Sequence, residues 1–151
     1  MQSNFELKCK GRCSVQGYNL IAVVNEDLSE WLMCRRRKEP YKGLYNLVGG
    51  HIEPGEDSAD AAYRELFEET GITKDDIVLT HLMDYTYYLE DCYVEVYAGR
   101  LRKSVKVHGE ENELVWMNFD ENFFNTAKFA EDGSIGHILE NIRNFSEKIL
   151  K

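Results

Sequence analysis

The sequence is short of proline, of long apolar runs and of basic charge, and each shortage excludes something. Its only prolines, Pro40 and Pro54, fall within a Gly-rich stretch, residues 38–56, that reads mainly as loop. The longest aliphatic run, Leu20-Ile21-Ala22-Val23-Val24, has five residues, against about 20 needed to span a bilayer. Met1-Gln2-Ser3-Asn4-Phe5 offers neither a basic start nor an apolar signal segment, so a cytoplasmic location is expected. Lys and Arg number 18 against 27 Asp and Glu, a formal net charge of −9. A field of that sign repels polyanions and excludes general binding to a nucleic acid polymer as a first reading. A small phosphorylated substrate remains compatible, because a bound metal ion supplies positive charge locally. The four cysteines, Cys9, Cys13, Cys34 and Cys92, are scattered. Cys9 and Cys13 have the spacing of half a zinc site, but no second Cys or His pair follows, so reduced and mostly buried thiols are expected. There is no internal repeat, low-complexity stretch or linker. Residues 1–151 read as one globular domain of ordinary composition.

What is present reads as an interspersed α/β chain. Residues 18–24 and 31–36 predict two strands joined by a polar connection. A helix is predicted from a cap at Asp57 or Ser58 to Thr70, with Gly71 placed for a left-handed turn and Ala59, Ala62 and Leu66 as its apolar stripe. Residues 78–89 and 92–101 read as an antiparallel hairpin turning at Glu90-Asp91, with Val94, Val96 and Ala98 on one face. Val115-Trp116-Met117 suggests a further short strand. Ile135, Ile138, Leu139, Ile142, Phe145 and Ile149 recur at helical spacing and predict a C-terminal amphipathic helix. Without regular βαβ alternation, a mixed sheet sandwiched between helices fits better than a doubly wound fold.

One helix breaks local rules. Glu65, Glu68 and Glu69 share a face, where they repel one another, and they lie in the last two turns, where the helix dipole disfavours anions. Each effect is worth a few tenths of a kcal/mol to about 1 kcal/mol. Both point the wrong way, and such conflicts tend to mark functional sites. A hard divalent cation resolves this one, since Mg²⁺ takes carboxylates, water and phosphate oxygens as ligands.

The flanking residues decide for the cation over a solvated acidic face. Gly50, Glu56, Arg64, Glu65, Leu66, Glu68, Glu69, Gly71 and Ile72 resemble the Nudix box, G-x5-E-x7-R-E-U-x-E-E-x-G-U with U aliphatic, at every specified position. The likeness extends upstream through Arg35, Pro40, Gly43-Leu44-Tyr45 and Gly49-Gly50, and downstream to Glu110 and Glu113 ahead of Trp116. Val48 stands where many members carry proline, which removes no ligand.

The resemblance implies the Nudix fold and water attack at phosphorus on a small-molecule nucleotide. Glu65, Glu68 and Glu69 would hold Mg²⁺, with Mn²⁺ as a substitute, and the Gly50 carbonyl and Glu56 would complete or support that shell. The catalytic set is Glu65, Glu68 and Arg64, with Arg64 orienting a glutamate, and the general base stays open among Glu65, Glu68, Glu110 and Glu113. Arg35 is the expected phosphate contact and Tyr87 the expected stacking partner for a base, while Arg36 and Arg37 are expected in solvent. The compact chain resembles nucleoside triphosphate pyrophosphohydrolases that remove oxidised nucleotides such as 8-oxo-dGTP. Hydrolysis of ADP-ribose is disfavoured, because a proline some fifteen residues past the box often accompanies it and none follows Pro54. Dinucleoside polyphosphates and a non-catalytic nucleotide sensor are the other readings. Homodimers are common in the family, and no residue here marks an interface.

Overall fold

The aliphatic run of residues 20–24 is buried because its strand is covered on both faces. A computed structural model describes residues 15–151, so the Cys9–Cys13 pair lies outside the described part. The strands are β1 (Gln16–Val24), β2 (Glu30–Arg35), β3 (Tyr45–Asn46), β4 (His51–Ile52), β5 (Thr80–Tyr87), β6 (Cys92–Arg100) and β7 (Glu113–Asn118). They form one mixed sheet in the order β3-β2-β1-β6-β5, with β4 added on β1 and β7 on β2. β1 and β6 run parallel from Gln16↔Cys92 to Val24↔Arg100, while β2, β4 and β5 join antiparallel. The helices are α1 (Ser58–Thr70), α2 (Ser134–Asn144) and the short α3 (Ser146–Ile149).

Alternation along β1 divides the core. Ile21 and Val23 pack with Leu32, Ala62 and Leu66 on the α1 side. Leu20, Ala22 and Val24 pack with Met33, Val96, Ile138 and Ile142 on the α2 side. The mixed sheet flanked by helices is the expected architecture.

Three local expectations change. The buried row of α1 runs at four-residue steps through Ala62, Leu66 and Thr70, so its first-turn member is the half-buried Ser58, and Ala59 is exposed. The C-terminal helix is broken at Phe145, whose backbone (φ −119°, ψ 21°) separates α2 from α3. That break leaves Phe145 half exposed while Ile149 returns to the core. The Gly-rich stretch holds two two-residue strands, β3 and β4, tied to β2 and β1.

Candidate active site

α1 is fixed at both ends by local chemistry. Asp57 is its cap, and its carboxylate accepts from the backbone N–H of Ala59 (3.0 Å) and Asp60 (3.1 Å). Gly71 closes it with φ 79°, a conformation glycine adopts without penalty, and donates to the Phe67 carbonyl at 2.8 Å. The buried row on one side then leaves the glutamates facing a cavity of about 360 Å³. Its lining includes Glu65, Glu68 and Glu69 from α1, Glu110, Glu111 and Asn112 from the loop before β7, His51, and the apolar floor of Cys34 and Leu114. Among the described residues, five carboxylates and no Lys or Arg line it. The acidic loop is tethered to the helix end, since the N–H of His108 donates to the Thr70 carbonyl at 3.0 Å.

Arg64 organises the near side. Its Nε and Nη2 donate to the two oxygens of Glu56 at 2.7 and 2.9 Å, and Nη1 donates to Glu65 at 2.8 Å and Glu68 at 3.3 Å. Nη2 also donates to the His51 carbonyl at 3.0 Å. The hydrogen bond from Arg64 holds the Glu56 carboxyl down at about 2, and Glu56 and Glu65 together push the guanidinium well above its ordinary value. Glu69 is the opposite case. Burial pushes its carboxyl up to about 7, against the N–H of Gly49, which donates to it at 3.1 Å, and with the nearby Glu65 charge reinforcing the rise.

Among the described residues, no three acidic, His or Cys side chains are gathered at once as a metal cage. Arg64 engages Glu56, Glu65 and Glu68 instead. The donor set nonetheless suits a hard cation: it is all oxygen, and among the described residues Glu69 is a desolvated carboxylate lacking a cationic hydrogen-bond partner. Gly50 supports this fit, because a Cβ there would lie 2.4 Å from Glu65 Oε2. A side chain at this position would force the Glu65 carboxylate to shift away from the place where Arg64 holds it. Gly50→Ala should weaken Mg²⁺ affinity by at least about 10-fold in calorimetric titration; unchanged affinity would remove Gly50 from the ion's surroundings.

The structure brings Gly50, Glu56, Arg64, Glu65, Glu68 and Glu69 together, with Glu110 across the cavity. Arg35, Tyr87 and Glu113 are not part of the lining. Cys34 faces the cavity, so Arg35, next along β2, turns to the other face, where its guanidinium lies 5.9 Å from the Tyr45 ring centre. Glu113 pairs with Arg35 across β2 and β7, whereas Leu114 pairs with Cys34. Tyr87 packs on the α2 side, edge-on to Tyr85 with ring centres 5.4 Å apart. Arg36 is half buried rather than free in solvent, and its charge lowers both Glu69 and Glu131.

Glu131 belongs to a second polar group that sequence reading did not single out. Its Oε1 accepts from Asn46 Nδ2 at 3.0 Å, and Asn46 Oδ1 accepts from the Leu47 N–H at 2.8 Å. Burial raises the Glu131 carboxyl despite Asn46 and Arg36. Close by, the Tyr85 hydroxyl is buried without a hydrogen-bond partner among the described residues, and burial followed by the Glu131 charge pushes Tyr41 up to about 12. Tyr41, Glu131 and Asp132 all have positive φ, at 67°, 64° and 51°. Three non-glycine residues in that region are strained, and such strain gathers at ligand sites.

A family model described as NUDIX domain matches residues 16–137. The chain belongs to the Nudix family. It is 30% identical over 105 residues to the CTP pyrophosphohydrolase of Escherichia coli (strain K12), covering 66% of this chain and 74% of that protein. It is 29% identical over 112 residues to NAD-capped RNA hydrolase NPY1 of Saccharomyces cerevisiae (strain ATCC 204508 / S288c), covering 73% of this chain and 27% of that one. The chain spans between 20% and 32% of the length of four curated relatives that it matches, the yeast protein included. Among solved structures it resembles a binary complex of a C. elegans Ap4A hydrolase, with TM-score 0.71 and 21% identity over 88% of this chain and 98% of that one. That likeness establishes the Nudix fold. No helix among the described residues is long and apolar enough to cross a membrane.

Proposed function

We propose that this Nudix chain hydrolyses a diphosphate linkage in a nucleotide with Mg²⁺ as cofactor, Mn²⁺ substituting. Within that class, the proposed substrates are nucleoside triphosphates, with oxidised purines of the 8-oxo-dGTP type leading. The observation that carries the reaction class is the cavity walled jointly by Glu65, Glu68, Glu69, Glu110 and Glu111. Bound Mg²⁺ would neutralise phosphate charge and lower the pKa of an attacking water. Glu65, Glu68, Glu69 and the Gly50 carbonyl would hold it, with Glu56 in support.

The protein's own groups supply the rest. Glu65, Glu68 and Glu110 all face the cavity as candidates to take the proton of the attacking water. Arg64 clamps Glu65 from one side and Glu56 from the other, fixing the carboxylate that the reaction needs in one orientation. Asn46, Glu131 and the Tyr85 hydroxyl form a polar group suited to the edge of a base, and the Arg36 charge acts on both Glu131 and Glu69. The E. coli relative, a CTP pyrophosphohydrolase, supports a triphosphate substrate.

The test is pyrophosphate release from canonical and 8-oxo triphosphates, with ADP-ribose and diadenosine polyphosphates beside them. Pyrophosphate from one triphosphate supports the proposal. Cleavage of ADP-ribose or a dinucleotide alone would keep the reaction and overturn the substrate. Binding with no turnover would leave a sensor. Glu131→Gln is expected to change selectivity among purine triphosphates by roughly 10–100-fold in kcat/KM, the value of a hydrogen bond to a charged group. An unchanged selectivity ratio would separate Glu131 from base recognition.

A further inference from the structure

Asn19 is a polar residue in the middle of a buried strand. Alternation along β1 puts it on the α1 side with Ile21 and Val23. It is 1% exposed, and its Nδ2 has no hydrogen-bond partner among the described residues. Its register partner on β6, Glu95, is also buried but accepts from Ser58 Oγ at 3.0 Å and from the Tyr97 hydroxyl at 3.3 Å. An unpaired buried amide costs stability that an apolar side chain of the same size would not. Packing therefore does not account for an asparagine here, and the other end of its amide does.

Asn19 Oδ1 fills a rung of the sheet. β4 runs antiparallel to β1, with Gly17 opposite Ile52 and Tyr18 opposite His51, and Val48 bridges to Ile21. The same register sets Gly50 opposite Asn19. In a regular rung of this type the two residues exchange both N–H···O bonds through the backbone. Here the Asn19 N–H donates to the Gly50 carbonyl at 2.8 Å, but the Gly50 N–H donates to Asn19 Oδ1 at 3.0 Å. The side chain stands in for its own backbone carbonyl. Beside this rung Gly49 takes φ 149°, and a Cβ on it would collide with the Asn19 carbonyl oxygen. Its N–H donates to Glu69 Oε2 at 3.1 Å, while the Gly50 α-carbon faces the Glu65 carboxylate. Two of the helix glutamates thus meet a glycine pair, and one residue holds both backbone polar groups of Gly50.

We propose that Asn19 is a positioning residue of the glutamate site: its Oδ1 takes the rung of a backbone carbonyl and so fixes the Gly49–Gly50 peptide against Glu65 and Glu69. Asn19 is not among the residues lining the cavity, and it acts through that peptide. The inference rests on the proposed function for what the glutamates do, but not for the rung.

The rung is tested first by NMR in the parent protein, kept free of metal in EDTA. A scalar coupling across the hydrogen bond is expected between the Gly50 amide nitrogen and the Asn19 side-chain carbonyl carbon. The backbone bond from Ile21 to Val48 serves as the reference in the same spectrum. Coupling to the Asn19 backbone carbonyl, or none where the reference is seen, overturns the proposal. Two variants then test the consequence: Asn19→Leu removes the acceptor at similar size, and Asn19→Asp keeps an oxygen in its place. In Asn19→Leu the Gly50 amide should exchange with deuterium at least about 10-fold faster relative to the Ile21 amide, a ratio that cancels any global loss of stability. Its Mg²⁺ dissociation constant in calorimetry should rise at least about 10-fold. With a nucleotide that the parent turns over, kcat should fall at least about 10-fold while KM at saturating Mg²⁺ changes less than about 2-fold. Asn19→Asp should keep the parent's ratio of the two exchange rates. If Asn19→Leu does not fold, the coupling and the Asn19→Asp ratio decide, and a lost ratio overturns the proposal. In folded Asn19→Leu, faster exchange at both amides alike, or unchanged Mg²⁺ affinity, reduces Asn19 to packing and overturns it as well. A parent that shows the coupling and these shifts but turns over no nucleotide would refute the enzyme reading and leave the positioning role standing.

Discussion

Glu69→Gln is expected to make the metal-free protein more stable at pH 8 while abolishing its response to Mg²⁺. Burial lifts the Glu69 carboxyl from 4.5 to about 7, so the folded chain holds this proton more tightly than the unfolded chain does. Between those values the unfolded state ionises first. Stability is lost as pH rises from about 4.5 to about 7, and above that the penalty stays constant. At 1.36 kcal/mol per unit, the penalty is on the order of 3 kcal/mol. Glutamine keeps an oxygen for the Gly49 N–H and carries no charge to bury. The variant should therefore melt higher in EDTA at pH 8, by roughly 5–10 °C for a domain of this size, and match the parent near pH 4.5. Melting curves at several pH values check this. Parallel curves for parent and variant would show that Glu69 is already well solvated. A cation bound beside Glu69 would offset this penalty by favouring the ionised carboxylate.

Glu65→Gln is expected to produce the largest loss of turnover, about 10²–10⁴-fold in kcat, with little change in fold. Glu65 is the glutamate that touches Arg64, abuts Gly50 and faces the cavity. Arg64→Lys should reproduce part of that loss, because an ammonium cannot hold Glu56, Glu65 and the His51 carbonyl at once as the planar guanidinium does. The double variant decides between independent and linked roles. If Arg64 acts by orienting Glu65, removing it from the Glu65→Gln enzyme costs little more. Multiplied losses would mean that Arg64 contributes separately, and single-turnover kinetics would register that outcome directly. Equal activity of Glu65→Gln and parent would shift the base to Glu68 or Glu110.

How much could be read in advance depended on whether spacing or packing decided the matter. The helix from the Asp57 cap to Gly71 was legible because cap, periodicity and C-terminal glycine are local signals. So was the grouping of Glu65, Glu68 and Glu69, a consequence of helix pitch. Ala59 was misplaced because the buried row follows four-residue steps rather than three. Arg35 depended on strand parity, and parity needs an anchor that only the structure supplies: Cys34 faces the glutamates, so its neighbour cannot. The same parity separates Glu113 from the cavity, while Glu111 and Asn112, in the irregular segment before β7, follow no period at all. Asn46 and Glu131, 85 positions apart, meet only because β3 lies beside the segment that starts α2. No pattern along a single chain encodes that meeting.

The parallel pairing of β1 with β6 has a consequence for how the cavity comes into being. Gln16 must find Cys92, 92 − 16 = 76 positions on, before the centre of the sheet exists. Non-local pairing of this kind pays its loop-closure entropy early and tends to fold slowly. β7 then has to dock on β2 before Glu110 and Glu111 reach the helix glutamates. A chain emerging from the ribosome therefore carries the whole Nudix box long before it carries a cavity, and catalytic competence should appear only after residue 118 is free to pair. The motif is local, but the cavity that it helps to line belongs to the finished topology.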